Sequence, residues 1–97
     1  MLALKPDTLL VLGEEIMIQA LPELDHYYAF NIKNGDHFEL NQTAHWVLEK
    51  IGQSVTLAEL SPGFAKRFEL NAETAEKDLA EVIRFGIENQ IIKEVKV

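Results

Sequence analysis

Apolar residues change their period twice along this chain. Over residues 8–40 they run briefly or alternate with polar ones, the pattern of strands. Over residues 41–90 they recur at three and four, as on one face of a helix. Residues 91–97 return to a β-branched run that fits a short strand. Strands first and helices afterwards predict an α+β domain.

In the first segment, Thr8 to Leu12 is β-compatible, and Ile16-Met17-Ile18 forms a second short strand stopped near Pro22. From His26 to Asn41 the alternation is clearer. Tyr28, Phe30 and Ile32 mark one face of the first arm, and Phe38 and Leu40 one face of the second. Lys33-Asn34-Gly35 between them signals a hairpin. A three-residue loop with Gly35 left-handed pairs Ile32 with Asp36, Phe30 with Phe38 and Tyr28 with Leu40, so that the apolar residues share a face. His37 and Glu39 then point the other way.

The helices follow. Asn41 or Thr43 can cap the first, which buries Ala44, Val47, Leu48 and Ile51 and stops at Gly52. Trp46 lies off that stripe and is expected at the edge of the sheet, with a partner surface as the alternative. Thr56 and Glu59 form a capping box for the second helix, with Leu57 and Leu60 inward. Ser61-Pro62-Gly63 is expected to break it, leaving Phe64 and Phe68 on a second short piece. Asn71, helped by Glu73, caps the third helix, whose buried face is Ala75, Leu79, Val82, Ile83, Gly86 and Ile87. Gly86 costs about 1 kcal/mol against Ala in a helix interior, and close approach of another backbone is the expected reason for it. Asn89 is expected to end the helix in the left-handed conformation.

Composition narrows the function. The chain has 97 residues, enough for one small domain spanning 1–97. It has no cysteine, which removes disulfides, thiolate nucleophiles and cysteine-ligated metals. A net charge of -7 opposes broad binding to nucleic acid or anionic membrane. No apolar stretch is long enough to span a bilayer, and the N-terminus has no basic region ahead of a long apolar core, so a cytoplasmic location is expected.

Catalytic material is scarce. His26, His37 and His45 are scattered, and none stands four residues from another on a helix, as a paired metal site would need. Ser54 and Ser61 sit in no nucleophile elbow, and no glycine-rich phosphate loop is present. Asp78 and Glu81 share a helical face, but acids on a solvated face are ordinary. The expectation is no enzyme, no cofactor and no metal. For DNA, residues 71–90 carry five acids against two bases, a net of -3, and only Lys66-Arg67 is locally basic. Sheet edges, by contrast, leave amides and carbonyls that an added peptide strand can pair with.

The aromatic strand Tyr27 to Ile32, the join Phe38-Glu39-Leu40-Asn41-Gln42-Thr43-Ala44, Val47 to Gly52, Val55 to Leu60, Asp78-Leu79 and the Ile87 to Ile92 ending occur here in one order. In that order and spacing, roughly residues 24–92 resemble the PqqD-like family and the related peptide-recognition domains of modified-peptide pathways. The resemblance implies a winged-helix-like fold, a hairpin followed by three helices, acting as a non-catalytic adaptor. Such an adaptor holds the leader of a ribosomally made precursor and presents it to a modifying enzyme, such as a radical SAM protein. Two departures, the Leu24 to Phe30 strand without the basic, tryptophan-bearing pattern and the Ser61-Pro62-Gly63 interruption, point to the broad family rather than to coenzyme PQQ synthesis itself.

Carried onto this chain, the resemblance places the leader as an added strand along His37, Phe38, Glu39 and Leu40. Its wall is the third helix, where Thr74, Asp78, Glu81 and Phe85 form a stripe beside the buried one. Phe85 either widens the core stripe or offers apolar area to a ligand. A homodimer is allowed. The competing classes are a protein–protein module without a peptide substrate and a winged-helix transcriptional regulator.

Overall fold

In the computed structural model, residues 5–95 are described. Residues 1–4 and 96–97 lie outside them, and with them part of the reading against a signal sequence and the end of the tail strand. The chain runs β1 (Leu9–Leu12), β2 (Ile16–Leu21), a 3₁₀ turn, β3 (His26–Asn31), β4 (His37–Leu40), α1 (Gln42–Ile51), β5 (Val55–Thr56), α2 (Leu57–Arg67), α3 (Ala72–Glu88) and β6 (Ile92–Val95). The α+β reading holds, but the strands form two three-stranded sheets. One has the order β5-β1-β6, the other is the meander β2-β3-β4. The tail segment becomes β6 and pairs antiparallel with β1 from Leu9↔Val95 to Leu12↔Ile92.

The hairpin register differs from the expected one by one residue. Tyr27 faces Leu40, Tyr28 faces Glu39, Ala29 faces Phe38 and Phe30 faces His37. The cause is Asn31. Its side chain accepts the amides of Lys33 (3.0 Å) and Asn34 (3.2 Å), its carbonyl accepts Gly35 N–H, and its own amide donates to Asp36. The loop is therefore the four residues 32–35, with Gly35 left-handed as expected. A one-residue slip exchanges the faces of a strand. So Tyr27 and Ala29 are buried with Leu40, while Tyr28, Phe30 and the exposed Ile32 stand on the outer face. On β4 the expected orientation stands, with Phe38 and Leu40 inward and His37 and Glu39 outward.

The helices pack on the inner faces around Val47, Leu48, Ile51, Leu60, Phe64, Leu79 and Ile83. α2 is continuous through Pro62, contrary to the expected break. Leu60 and Phe64, one turn apart and both buried, are anchored on either side of the proline, and that burial outweighs the missing amide. Trp46 does not lie at the sheet edge. It packs on α2 against Phe64 (5.8 Å) and Phe68 (6.0 Å), with Lys50 over its ring. Gly86 is approached by a side chain rather than a backbone, since a Cβ there would lie 2.6 Å from Ile92 Cγ1. Asn89 closes α3 by donating Nδ2–H to Phe85 O at 2.9 Å, and the left-handed residue is Gln90.

The capping box forms as read. Thr56 N–H and Oγ1–H donate to Glu59 Oε1, each at 3.0 Å, and Glu59 N–H donates to Thr56 Oγ1 at 3.2 Å. The Thr56 amide first, and its hydroxyl second, hold the Glu59 carboxyl below the ordinary 4.5. A depressed folded-state value means that this contribution to stability is present above the ordinary glutamate range. It is lost as pH falls through the lowered value. Thr56→Ala keeps the amide and removes the hydroxyl, so it should raise the Glu59 midpoint only part of the way toward 4.5 in a side-chain NMR titration; an unmoved midpoint would refute the hydroxyl's share.

Candidate functional site

The meander has two edge strands, β2 and β4, and β4 is the one that leads into α1 and borders a cleft against α3. Its backbone can be assigned from the register. Asn31 N–H donates toward Asp36, and Ile32 N–H donates in the opposite direction to Glu15 O at 2.9 Å. Alternation along an antiparallel ladder then turns Phe38 and Leu40 toward β3. The amides and carbonyls of His37 and Glu39 face outward, and among the described residues no strand lies beside them.

α3 stands next to this edge. Phe85 meets Phe38 edge-on, with ring centroids 5.7 Å apart at 88°. Phe85 remains 39% exposed, so it both touches the core and offers apolar surface, which joins the two roles open for it from sequence. A cleft of about 240 Å³ runs between strand and helix, lined by Glu39, Leu40, Asn41, Ala44, Glu81, Val82 and Phe85.

Of the eight residues singled out from sequence, the structure gathers four at this cleft, namely Glu39, Leu40, Glu81 and Phe85. Phe38 supports it from beneath through Phe85. His37 stands on the outer face of the sheet, in contact with Phe30 rather than with α3. Thr74 and Asp78 lie on earlier turns of α3 and do not line the cleft; Thr74 N–H is taken by the Asn71 cap at 2.8 Å. Asn41, Ala44 and Val82 were not singled out as ligand contacts. Asn41 ends β4 and caps α1, accepting Ala44 N–H at 2.8 Å, so the strand-to-helix join itself closes one end of the cleft.

Glu39 and Glu81 are the only charged residues in the lining, and Glu39 borders the cleft from a strand position whose side chain points to the outer face of the sheet. Among the described residues the short charge contacts are His26 with Glu39 at 3.7 Å and His45 with Glu49 at 3.4 Å, so no lysine or arginine bridges a carboxylate. Among the described residues there is also no group of three potential metal ligands, and no helix long and apolar enough to cross a membrane. A larger cleft of about 420 Å³, between Pro6, α2 and α3, is lined by Leu57, Ala58, Ser61, Glu76, Leu79 and Ala80. None of these residues belongs to a strand edge.

A meander with an open edge, flanked by the last of three helices, defines an α+β domain of the winged-helix-like kind. The family model for coenzyme PQQ synthesis protein D (PqqD) matches residues 26–92, and the chain belongs to this family. The members are non-catalytic adaptors. Two solved structures share the fold. A lasso peptide synthetase B1 complexed with the leader peptide is 19% identical, with a TM-score of 0.73 over 87% of this chain and 96% of that one. TbiB1 in complex with the TbiA(β) leader peptide is 11% identical, with a TM-score of 0.76 over 90% of this chain and 99% of that one. No curated protein matches the sequence.

Proposed function

We propose that this protein binds the leader segment of a ribosomally made precursor peptide by strand addition along β4 and presents it to a modifying enzyme. The observation that carries the reading is the pair of unpaired backbone units, His37 and Glu39, directly beside the apolar cleft under Phe85. Backbone pairing supplies affinity without much sequence demand, and alternate side chains entering the cleft supply selectivity. Both structural neighbours are described in complex with a leader peptide, which supports the same role here. The enzyme served is, in this proposal, a radical SAM protein of a modified-peptide pathway in the broad sense, and the role implies the cytoplasm.

On the cleft side the leader sets apolar residues against Phe85 and Val82. A basic residue faces Glu81 in the cleft, with Asp78 one turn earlier on α3 adding to the negative field, and salt should weaken the contact. Phe85→Ala should weaken leader binding by about 1 kcal/mol, roughly five-fold, because Phe38 already covers part of the ring. Isothermal titration with the wild type alongside checks this.

The test of the whole reading is amide chemical-shift mapping of the labelled chain, titrated with the precursor that co-purifies with it from its native host. Shifts centred on residues 37–40 and 74–85 are expected. Shifts confined to residues 57–68 would refute the placement.

A further inference from the structure

The outer face of the meander carries a row of rings that the cleft does not use. The register sets Met17, Phe30 and His37 in one cross-strand row, and Gln19, Tyr28 and Glu39 in the next. His26 and Tyr28 stack at 6.1 Å and 14°, Tyr28 and Phe30 lie 6.0 Å apart, and Phe30 and His37 6.3 Å apart. The ladder runs along β3, steps onto β4 at His37, and ends there, at the open edge. Met17 beside it is 54% exposed. Two residues further along β4, Glu39 also points outward, and among the described residues its one short charge contact is His26, an imidazole that carries charge only when protonated.

An added strand has two faces, and its outward side chains must stand directly beside His37 and Glu39. Resting on the strand-addition reading above, we infer that the outer face selects the peptide as well. The residue opposite His37 is aromatic and extends the ring ladder, and the residue opposite Glu39, two positions away, is lysine or arginine. Aromatic cross-strand pairs and opposite charges placed directly across a ladder are the favourable combinations, whereas an acid opposite Glu39 is repelled. The recognised class is therefore a peptide read on both sides: apolar and basic residues at the cleft positions, and an aromatic–x–basic set on the alternate, outward positions. The argument is the same for either direction of the added strand, because outward positions are two apart in both.

The test uses a display library of short random peptides, panned on the full chain and on His37→Ala, Glu39→Gln and Phe85→Ala. Peptides selected by the wild type should show two interleaved preferences of period two. Glu39→Gln should erase only the basic preference and His37→Ala only the aromatic one, both leaving the cleft-side pattern intact. Phe85→Ala should do the reverse. In a resynthesised peptide, replacing the outward base with Gln should weaken binding roughly three- to five-fold to the wild type and not to Glu39→Gln. A cleft-side pattern with indifferent outward positions would overturn this inference and leave strand addition standing. Peptides without any period of two, or shifts confined to residues 57–68 on their binding, would overturn both.

Discussion

Gly86→Val is expected to lower stability by about 3 kcal/mol, because the added side chain must occupy space held by Ile92. For a domain of this size that is a fall in melting temperature of roughly 12–24 °C. The geometry leaves little room for adjustment. Gly86 is buried, its carbonyl accepts Ile91 N–H at 2.7 Å, and Ile92 is itself 2% exposed. α3 and β6 are thus locked at the point where a new Cβ would need them apart. Calorimetry on Gly86→Val, Ile92→Ala and the double variant checks the cause. The double variant should lose clearly less than the two single losses combined, since the smaller residue 92 makes room. Strict additivity would mean that Ile92 is not what excludes a side chain at 86.

Glu39→Pro should weaken leader binding by about 2 kcal/mol or more, roughly 30-fold, while the fold survives. Proline removes the Glu39 amide and puts a ring where the incoming strand would approach. Since that amide faces the open edge, β3 loses no hydrogen bond, and proline is tolerated on such an edge. Phe38→Pro is the matched control, because the Phe38 amide turns toward β3. It should destabilise the meander, whereas Glu39→Pro should leave the melting temperature within a few degrees. Comparable binding by Glu39→Pro and the wild type would refute strand addition along β4.

Much of this could be read in the residues, and the exceptions share a physical origin. The Thr56–Glu59 box, the Asn41 and Asn71 caps and the α3 stripe are local and periodic, and each formed as read. The hairpin slipped because two asparagines compete to set the turn. Asn34-Gly35 suggests a tight loop, but Asn31 folds the chain back three residues earlier, and that decides which face is buried. Pro62 breaks a helix by propensity; tertiary burial of Leu60 and Phe64 overrides it. The family resemblance was carried by the same segments that the PqqD model spans, residues 26–92. The cleft was half legible. Glu81 and Phe85 sit on a stripe visible in sequence, whereas Asn41, Ala44 and Val82 come together only through the approach of α1, β4 and α3. His37 was expected beside the peptide, but its place in a ring ladder depends on the register and so could not be read in advance.

The pairing of β1 with β6 also sets an order of assembly. Leu9 meets Val95 across nearly the whole described chain, whereas β2, β3 and β4 meet their sequence neighbours. Closing so long a loop carries the larger entropy cost and waits on helices that bring the ends together. The meander and its open edge therefore belong to an early, locally built unit, and the terminal sheet is the late seal over Leu10 and Ile92. Pulse-labelled hydrogen exchange during refolding should protect the β3 amides before those of Val11 and Lys93; the opposite order would refute this sequence of events. Fraying of the terminal sheet would then begin in a different sheet from β4, the edge at which leader pairing is proposed.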